Sequence, residues 1–283
     1  MDVSIAAAIN QAAAKLRAHG VNEPRLEAAL LLSHIIECDR AFLIAHDDRT
    51  LSAERSQAFS ASVSRRASGE PLQYITGHQE FFKLDFAVTP DVLIPRPETE
   101  LIVEAVLELF PGQAHCFFAD VGTGSGCVAI SILQERPHSR AMAIDKSKSA
   151  LKVAEQNAET HRVLDRMRLV HADLFCEVPE SEVFALIVSN PPYVPDGELG
   201  GLQREVQREP RPALAGGADG LEVIRRLLAA APRRLHAGGY LIFEFGINQD
   251  EAIAELVVGA VWELIEMRRD LQKIPRTIIL RKK

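Results

Sequence analysis

Asn190, Pro191, Pro192 and Tyr193 form a motif directly after an apolar run that ends at Ser189. The Asn190 side-chain oxygen and the Pro191 carbonyl are both hydrogen-bond acceptors, and Pro191 has no N–H of its own. A primary amide nitrogen is planar and weakly nucleophilic, because its lone pair is delocalised into the carbonyl. Two acceptors on its N–H groups would favour the pyramidal form, and we expect Tyr193 to stack on the amide plane. The motif therefore indicates chemistry on a conjugated nitrogen, driven by positioning and fixed dipoles.

A glycine-rich segment follows an earlier apolar run and precedes a helical pattern. The spacing differs from the dinucleotide-binding pattern G-x-G-x-x-G, because Cys127 stands where the third glycine would be, and this disfavours a Rossmann oxidoreductase. The tighter G-x-G-x-G after an acid resembles motif I of class I methyltransferases. The helix terminus would then bind the carboxylate of S-adenosyl-L-methionine. The segment is Asp120-Val121-Gly122-Thr123-Gly124-Ser125-Gly126.

Three further residues are candidates for the same ligand site. Asp145 ends the next apolar run, where a carboxylate can accept hydrogen bonds from ribose hydroxyls. The alternative for Asp145 is an N-cap of the helix predicted over residues 149–160. Asp173 and Leu174 follow the third run and resemble the adenine-contacting motif, with Asp173 facing the exocyclic amine. An ordinary turn aspartate is the alternative for Asp173.

From residue 115 onward, apolar runs alternate with helical patterns. The helices are predicted around residues 128–134, 149–160 and 221–235. Regular alternation of this kind predicts a parallel sheet that is covered by helices on both faces. The predicted strands are Cys116–Val121, Arg140–Ile144, Met167–His171, Phe184–Ser189, Tyr240–Phe245, Glu263–Arg268 and Thr277–Leu280.

The N-terminal part of the chain has a different pattern. Apolar residues at helical spacing before Gly20, after Pro24 and after Ser52 predict a small all-helical domain. Alternating apolar residues over 81–88 predict a β-hairpin or an extended connector. A helix is predicted from near Pro97 to about Phe110.

Composition narrows the classes of function. Of 283 residues, 47% are hydrophobic and 25% charged, as is usual for globular proteins. The formal net charge of −7 weighs against nucleic acid as the main partner, because binding to a phosphate backbone favours a basic surface. Four scattered cysteines, without the spacing of a zinc site, favour a reducing cytoplasm. We expect no membrane span, no export signal, no metal and a monomer.

Several longer segments resemble the release factor glutamine methyltransferase family (PrmC). The resemblance covers essentially the whole chain, and its motifs are long enough to be specific. The segments are Gly69–Gly77, residues 81–88, Leu93–Glu100, Asn190–Tyr193, Glu209–Leu214 and Gly216–Leu221.

The resemblance implies a fold, a substrate and a set of site residues. The fold is a class I SAM-dependent methyltransferase, with a seven-stranded, mostly parallel, doubly wound sheet. It implies a helical domain at 1–76 that docks class 1 peptide-chain release factors, a hairpin linker at 77–95 and a methyltransferase domain at 96–283. The reaction is N5-methylation of the glutamine in the Gly-Gly-Gln motif. The implied residues are Gly122–Gly126, Asp145, Leu174 and Asn190 for cofactor, and Asn190, Pro191, Pro192 and Tyr193 for glutamine.

Some alternatives stay open at the level of sequence. The same four-residue motif occurs in enzymes that methylate exocyclic amines of adenine and cytosine, although the acidic charge balance disfavours a nucleic acid substrate. A cofactor-occupied binding protein is a second alternative, which the intact motif disfavours. Phe245 stands where the family pattern has histidine, and Leu174 where some relatives have an aromatic residue. Arg96 and Glu98 are interpreted first as structural, pairing or capping groups.

Overall fold

The computed structural model describes residues 3–113, 115–257, 259 and 261–283. The chain separates into two compact units. The first contains Met1–His78 and Gln203–Arg208, and the second contains Gln79–Leu202 and Glu209–Lys283. The limits 1–76, 77–95 and 96–283 stay a prediction, and residues 1 and 2 of the first range lie outside the described residues.

The first unit is helical, as predicted. Ser4 and Ser52 are the N-caps of its first and fourth helices, with side chains that accept from Ala7 N and Arg55 N. Gly20 follows the first helix with φ +80°, the conformation expected just beyond a C-cap. Two short helices, the third and the fifth, were not predicted, because six and five residues are too few to show helical periodicity. The helices are α1 (Ile5–Ala18), α2 (Pro24–Ile36), α3 (Arg40–Ala45), α4 (Ala53–Ala67) and α5 (Leu72–Thr76).

A buried ion cluster joins segments of the first unit that are far apart in sequence. Arg66 is 5% exposed and pairs with Glu27 of α2. Its Nη2 also lies 2.6 Å from Glu205 Oε1, in the segment Gln203–Arg208. This pairing explains why that segment belongs to the helical unit although the residues on either side of it belong to the second.

The second unit follows with a hairpin of β1 (His78–Phe81) and β2 (Leu84–Ala87). Its two turn residues, Phe82 and Lys83, have φ of 48° and 63°, which is the left-handed pair of a type I′ turn. Phe81 and Phe86 are buried in the core of the second unit. A single turn of 3₁₀ helix at Pro97–Thr99 then leads into α6 (Glu100–Leu109), close to the predicted limits.

The described residues of the second unit contain a seven-stranded sheet in the order β5-β4-β3-β6-β7-β9-β8. Strands β3 to β7 pair in parallel, whereas β9 is antiparallel to both of its neighbours. The strands are β3 (Phe117–Val121), β4 (Arg140–Asp145), β5 (Met167–His171), β6 (Phe184–Ser189), β7 (Leu235–Glu244), β8 (Trp262–Arg269) and β9 (Pro275–Lys282).

Helices cover both faces of this sheet because successive strand residues point to opposite sides. Phe118 packs in one core with α6 and with the helices of residues 127–135 and 148–160, while Ala119 packs in the other with the helices of residues 222–234 and 250–257. The fold is therefore doubly wound, as predicted. The remaining helices are α7 (Cys127–Glu135), α8 (Lys148–Thr160), α9 (Arg211–Leu214), α10 (Glu222–Arg234) and α11 (Asp250–Val257).

Besides limits that differ by one or two residues, three elements of the second unit differ from the sequence expectation: β7, α11 and the four-residue α9, which was not predicted. Strand β7 begins at Leu235 rather than at Tyr240. Gly238 and Gly239 hide the first part of the strand in the sequence, but they lie inside it, next to a register shift opposite β6. Helix α11 was not predicted, since it is only eight residues long. No helix of the described residues is both long and apolar enough to cross a membrane.

Candidate active site

The candidate site lies at the carboxyl edge of β3, β4 and β6. The sheet order reverses around β3, since β4 lies on one side of it and β6 on the other. In open α/β folds such a switch point forms a ligand crevice. Val121 is in register with both Ile144 and Ser189, so the three loops that follow these strands begin together. One pocket is lined by most predicted residues: Gly122, Thr123, Gly124, Ser125, Asp145, Asp173, Leu174, Asn190, Pro191 and Pro192.

The glycine loop and the Asn-Pro-Pro-Tyr motif approach each other across this pocket. A Cβ atom at Gly122 would lie 3.9 Å from the Asn190 carbonyl oxygen. The Ser189 hydroxyl donates to the Val121 carbonyl at 2.7 Å, which ties the ends of β6 and β3 together. The loop and the motif therefore face one another, and a ligand in the pocket would contact both.

The shape of the glycine loop requires glycine at two positions for different reasons. Gly124 has φ +56°, and a Cβ there would meet nothing within 4 Å, so the backbone angle alone favours glycine. Gly126 has φ +82°, and its Cβ would lie 2.9 Å from Ile130 Cδ1 and 3.3 Å from Ala154 Cβ. Gly126 therefore allows the close packing of the loop on α7 and α8, and it does not line the pocket.

A buried aspartate supports the loop from below. Asp120 is 2% exposed, and its Oδ2 accepts from the Thr123 hydroxyl at 2.7 Å. Burial raises the pKa of Asp120 to about 7, although the hydrogen bond from Thr123 lowers it. The acid before the glycines thus holds the loop through Thr123.

Asp145 connects β4 to the glycine loop. Its Oδ2 accepts from Gly124 N at 2.9 Å, and its Oδ1 accepts from Ser147 N at 2.8 Å. The N-cap of α8 is Ser147, whose hydroxyl accepts from Ala150 N, so the alternative of Asp145 as that cap is wrong. An ionised carboxylate accepts about four hydrogen bonds, so Asp145 retains acceptor capacity at the pocket wall.

Asp173 and Leu174 line the pocket with unusual local features. Asp173 Oδ2 accepts from Arg226 Nη2 at 2.7 Å, and this pairing was not foreseen. Leu174 has φ +52°, a left-handed conformation that side chains other than glycine, asparagine and aspartate rarely adopt. Its role with adenine stays a prediction, as does that of Asp173.

Behind the Asn-Pro-Pro-Tyr motif lies a chain of buried hydrogen bonds. Asn190 Nδ2 donates to Thr99 Oγ1 at 3.0 Å, and Thr99 Oγ1 donates to Glu244 Oε2 at 2.6 Å. The Tyr193 hydroxyl donates to the other carboxylate oxygen, Glu244 Oε1, at 2.9 Å. One carboxylate therefore holds both polar side chains of the motif.

The electrostatics of this chain follow from its burial. Glu244 and Thr99 are 1% and 2% exposed. Burial raises the pKa of Glu244 to about 7, while hydrogen bonds from Thr99 and Tyr193 and the charge of Arg276 lower it. Burial and the charge of Glu244 raise the pKa of Tyr193 well above its usual value. Tyr193 is thus a neutral donor, and its hydroxyl is used inside the protein.

The backbone after the motif is also held firmly. Gln249 Nε2 donates to the Tyr193 carbonyl at 2.9 Å, while Gln249 Oε1 accepts from Gly246 N at 2.8 Å. A Cβ at Gly220 would lie 2.3 Å from the same Tyr193 carbonyl, so only glycine fits there. Tyr193 does not line the pocket, and its stacking on a substrate amide stays a prediction.

Sequence reasoning missed four supporting residues: Thr99, Glu244, Gln249 and Asn157. Asn157 of α8 is 1% exposed and accepts from Ala87 N at 2.8 Å. It donates to the carbonyls of Ala87 at 3.0 Å and Ser125 at 2.8 Å, which links the hairpin to the glycine loop. Of these four residues, only Glu244 could have been identified from the sequence, because burying an acid at the end of an apolar run is costly unless it has a role.

Arg96 pairs with a buried partner, as the structural interpretation predicts. Its guanidinium bonds Glu209, which is 5% exposed and also accepts from Ile94 N at 3.0 Å. Burial raises the pKa of Glu209 despite the neighbouring Arg96. Glu98 lies in the 3₁₀ turn, where its charge raises the pKa of Glu244.

Two family models match the chain. The model described as the PrmC N-terminal domain matches residues 7–77, and the methyltransferase small domain matches residues 99–204. The second match includes the glycine loop, Asp145 and the Asn-Pro-Pro-Tyr motif.

Curated relatives cover nearly the whole chain. The release factor glutamine methyltransferase of Koribacter versatilis is 40% identical over 276 residues, which is 97% of each chain. That of Nitratidesulfovibrio vulgaris is 42% identical over 97% of this chain and 94% of its own. The chain belongs to the release factor glutamine methyltransferase family. A further relative of the same name, from Geobacter sulfurreducens, is 46% identical over 83% of this chain and 81% of its own.

Solved structures agree with this family at the level of fold. A methyltransferase from Pyrococcus furiosus has a TM-score of 0.52 at 16% identity, over 82% of this chain and 99% of that one. The ribosomal protein L11 methylase from Lactobacillus delbrueckii has a TM-score of 0.50 at 20% identity, over 66% and 80%. The second unit therefore has the class I SAM-dependent methyltransferase fold, which confirms the predicted fold class.

Proposed function

We propose that this protein transfers a methyl group from S-adenosylmethionine to a glutamine side-chain amide of class 1 peptide-chain release factors. Relatives that align with it over almost the full length of both chains are named release factor glutamine methyltransferases. The observation that carries the proposal is the meeting of the glycine loop and Asn190 in one pocket, where a Cβ atom at Gly122 would lie 3.9 Å from the Asn190 carbonyl oxygen.

The residues of the pocket fit the proposed cofactor. When bound there, S-adenosylmethionine supplies an electrophilic methyl group on a sulfonium. The start of α7, just after Gly126, presents N–H groups that suit the carboxylate of its methionine end. Asp145 has the remaining acceptor capacity that ribose hydroxyls require, and Asp173 and Leu174 line the side assigned to adenine.

The acceptors for the substrate amide come from the Asn-Pro-Pro-Tyr motif. Asn190 lines the pocket, and its Nδ2 donates to Thr99. The Oδ1 atom is on the other branch of the planar amide and therefore points away from Thr99. The Pro191 carbonyl is the neighbouring acceptor, and Pro192 continues the same wall. Both acceptors would hold the N–H groups of the glutamine and direct its nitrogen at the methyl group.

Catalysis by this motif depends on the positioning of the substrate amide. The carboxylate of Glu244, to which Tyr193 of the motif donates, also accepts from Thr99, so it supports the motif rather than acting as a base. Preorganised dipoles and correct alignment then lower the barrier without a group that must change its charge.

The remaining parts of the proposal concern partners. The helical domain at 1–76 docks the release factor, the segment 77–95 links it to the methyltransferase domain at 96–283, and the target is the Gly-Gly-Gln glutamine. A formal net charge of −7 supports a protein substrate rather than a nucleic acid. We further propose that the protein acts as a monomer in the cytoplasm.

The test is a methyl-transfer assay with labelled S-adenosylmethionine. Purified protein is incubated in parallel with a class 1 release factor, the same factor with its Gly-Gly-Gln glutamine replaced by alanine, DNA and ribosomal RNA. Label on the unmodified factor alone supports the proposal. Label on DNA or RNA and on neither factor would contradict it and would favour a nucleic-acid amine methyltransferase.

A further inference from the structure

Two buried residues behind the Asn-Pro-Pro-Tyr motif have no direct place in the reaction described above. Thr99 lies in the 3₁₀ turn before α6, and Glu244 is the last residue of β7. Ser189 of β6 is in register with Phe243 of β7, so the parallel pairing brings the following residues, Asn190 and Glu244, to adjacent places at the edge of the sheet. The Thr99 hydroxyl bridges these two side chains.

The direction of these hydrogen bonds is determined by chemistry. An ionised carboxylate only accepts, so the single hydroxyl proton of Thr99 is committed to Glu244 Oε2, 2.6 Å away. Thr99 Oγ1 must therefore act as the acceptor toward Asn190, and only the Nδ2 branch of that amide can donate. The negative charge on Glu244 thus determines which end of the Asn190 amide points away from Thr99.

We propose that Thr99 and Glu244 are positioning residues, which orient the Asn190 amide so that Oδ1 rather than Nδ2 faces the nitrogen to be methylated. An inverted amide would present N–H groups to the N–H groups of the substrate, and the nitrogen would lose one of its two acceptors. The identity of that nitrogen rests on the proposed function, whereas the orientation of Asn190 does not.

The cost of burying Glu244 supports a functional reason for it. A buried ionised carboxylate loses its hydration, and well-packed apolar residues are often as stable or more stable in its place. Here the same carboxylate also accepts from Tyr193, so one residue holds both polar side chains of the motif.

The ionisation of Glu244 adds a dependence on pH. Thr99, Tyr193, Arg276 and Glu98 are the groups that act on it, and burial raises its pKa to about 7. Above that pH the carboxylate is ionised and the chain has the direction described. Below it, a protonated Glu244 can donate to Thr99 and release the Thr99 proton toward Asn190. The kcat should therefore fall as pH falls through about 7, and this fall should be shallower in Thr99→Val, in which the bridge is absent.

The principal test is a matched pair of substitutions at Thr99. Thr99→Val keeps the shape but removes the hydroxyl, whereas Thr99→Ser keeps the hydroxyl. We expect Thr99→Val to lower kcat for the release factor by about 10- to 100-fold, which is less than the loss of about 100- to 1,000-fold that follows the removal of a direct preorganised contact. The dissociation constant for S-adenosylmethionine should stay within about twofold, because Thr99 lines the pocket but its hydroxyl is engaged by Glu244 and Asn190, and valine keeps the shape of the side chain. Thr99→Ser should restore kcat to within about threefold of the wild type.

A second readout reports on Asn190 without any turnover. The chain has five asparagines, so the side-chain NH₂ signals of isotope-labelled asparagine are few, and Asn190→Ala identifies the one of interest. We expect the Asn190 signal to shift and to exchange faster with solvent in Thr99→Val, but not in Thr99→Ser. If the wild type methylates no release factor, the proposed function fails, while this signal still tests the positioning.

Glu244→Gln provides an independent variant if Thr99→Val folds poorly. A glutamine at position 244 can accept from only one of the Thr99 and Tyr193 hydroxyls and must donate to the other, so the direction of the Thr99 hydrogen bond is no longer determined by a carboxylate. We expect a lower kcat with an unchanged melting temperature and cofactor affinity. Unchanged kcat in both Thr99→Val and Glu244→Gln would overturn the proposal, as would equal losses in Thr99→Val and Thr99→Ser.

Discussion

The two walls of the pocket are built in different ways. The glycine loop is shaped by its own backbone, with φ between +56° and +82° at Gly122, Gly124 and Gly126. The Asn-Pro-Pro-Tyr motif is shaped by side chains from elsewhere in the sequence, and Thr99 and Glu244 are 91 and 51 residues away from the residues they hold. The cofactor wall is thus local in sequence, whereas the substrate wall depends on tertiary structure.

This difference has a consequence for substitution. In the loop, a new side chain acts directly through strain or through a clash. Around the motif, a residue with no direct role in the reaction can change catalysis, because it orients one that has such a role. Cofactor affinity and turnover should therefore respond to different residues.

The largest effect is expected for Asn190→Ala, which removes one acceptor from the substrate wall. Turnover should fall by about 100- to 1,000-fold, as when one preorganised hydrogen-bonding group is deleted from an active site. Cofactor binding, measured by calorimetry, should persist, because the glycine loop is unaltered. Turnover equal to that of the wild type would show that Asn190 has no role in the mechanism, and it would contradict the assignment of turnover to the substrate wall.

The next effect is expected for Gly126→Val in the cofactor wall. The added atoms would meet Ile130 Cδ1 at 2.9 Å and Ala154 Cβ at 3.3 Å, in a backbone conformation with φ +82°. Strain and overpacking cost about 1–3 kcal/mol each, so the dissociation constant for S-adenosylmethionine should rise by about tenfold or more.

Gly112→Val is the matched control for that substitution. Gly112 is exposed, and a Cβ there meets nothing within 4 Å. Its cofactor affinity should equal that of the wild type. Equal losses in the two variants, or no loss in either, would show that the packing of Gly126 does not shape the cofactor wall.

The smallest effect is expected for Asn157→Ala, which alters the support of the loop. The buried Asn157 side chain makes three hydrogen bonds to Ala87 and Ser125, and a buried group left unsatisfied costs about 1–3 kcal/mol. The free energy of unfolding in urea should fall by about that amount, with kcat changed far less than in Asn190→Ala. A kcat loss as large as that of Asn190→Ala, at unchanged stability, would place Asn157 in the substrate wall instead.

The same contrast explains which features the sequence could predict. The glycine loop and the Asn-Pro-Pro-Tyr motif are contiguous, so their spacing is visible in the sequence. The predicted limits of β5 and β6 are confirmed, and the run of β6 is apolar up to Ser189. The role of Thr99, which lies close to the charged Arg96 and Glu98, could not be predicted from the sequence, because its hydrogen-bond partners lie far along the chain. The pairing of Asp173 with Arg226 was hidden for the same reason.

Tandem mass spectrometry of the methylated release factor shows directly which residue receives the methyl group. After reaction with the wild-type protein, we expect one added methyl group on the side-chain nitrogen of the Gly-Gly-Gln glutamine. The same peptide should stay unmodified with Asn190→Ala over the same time. A methyl group on any other residue, or an unmodified glutamine while nucleic acid gains the label, would contradict the account.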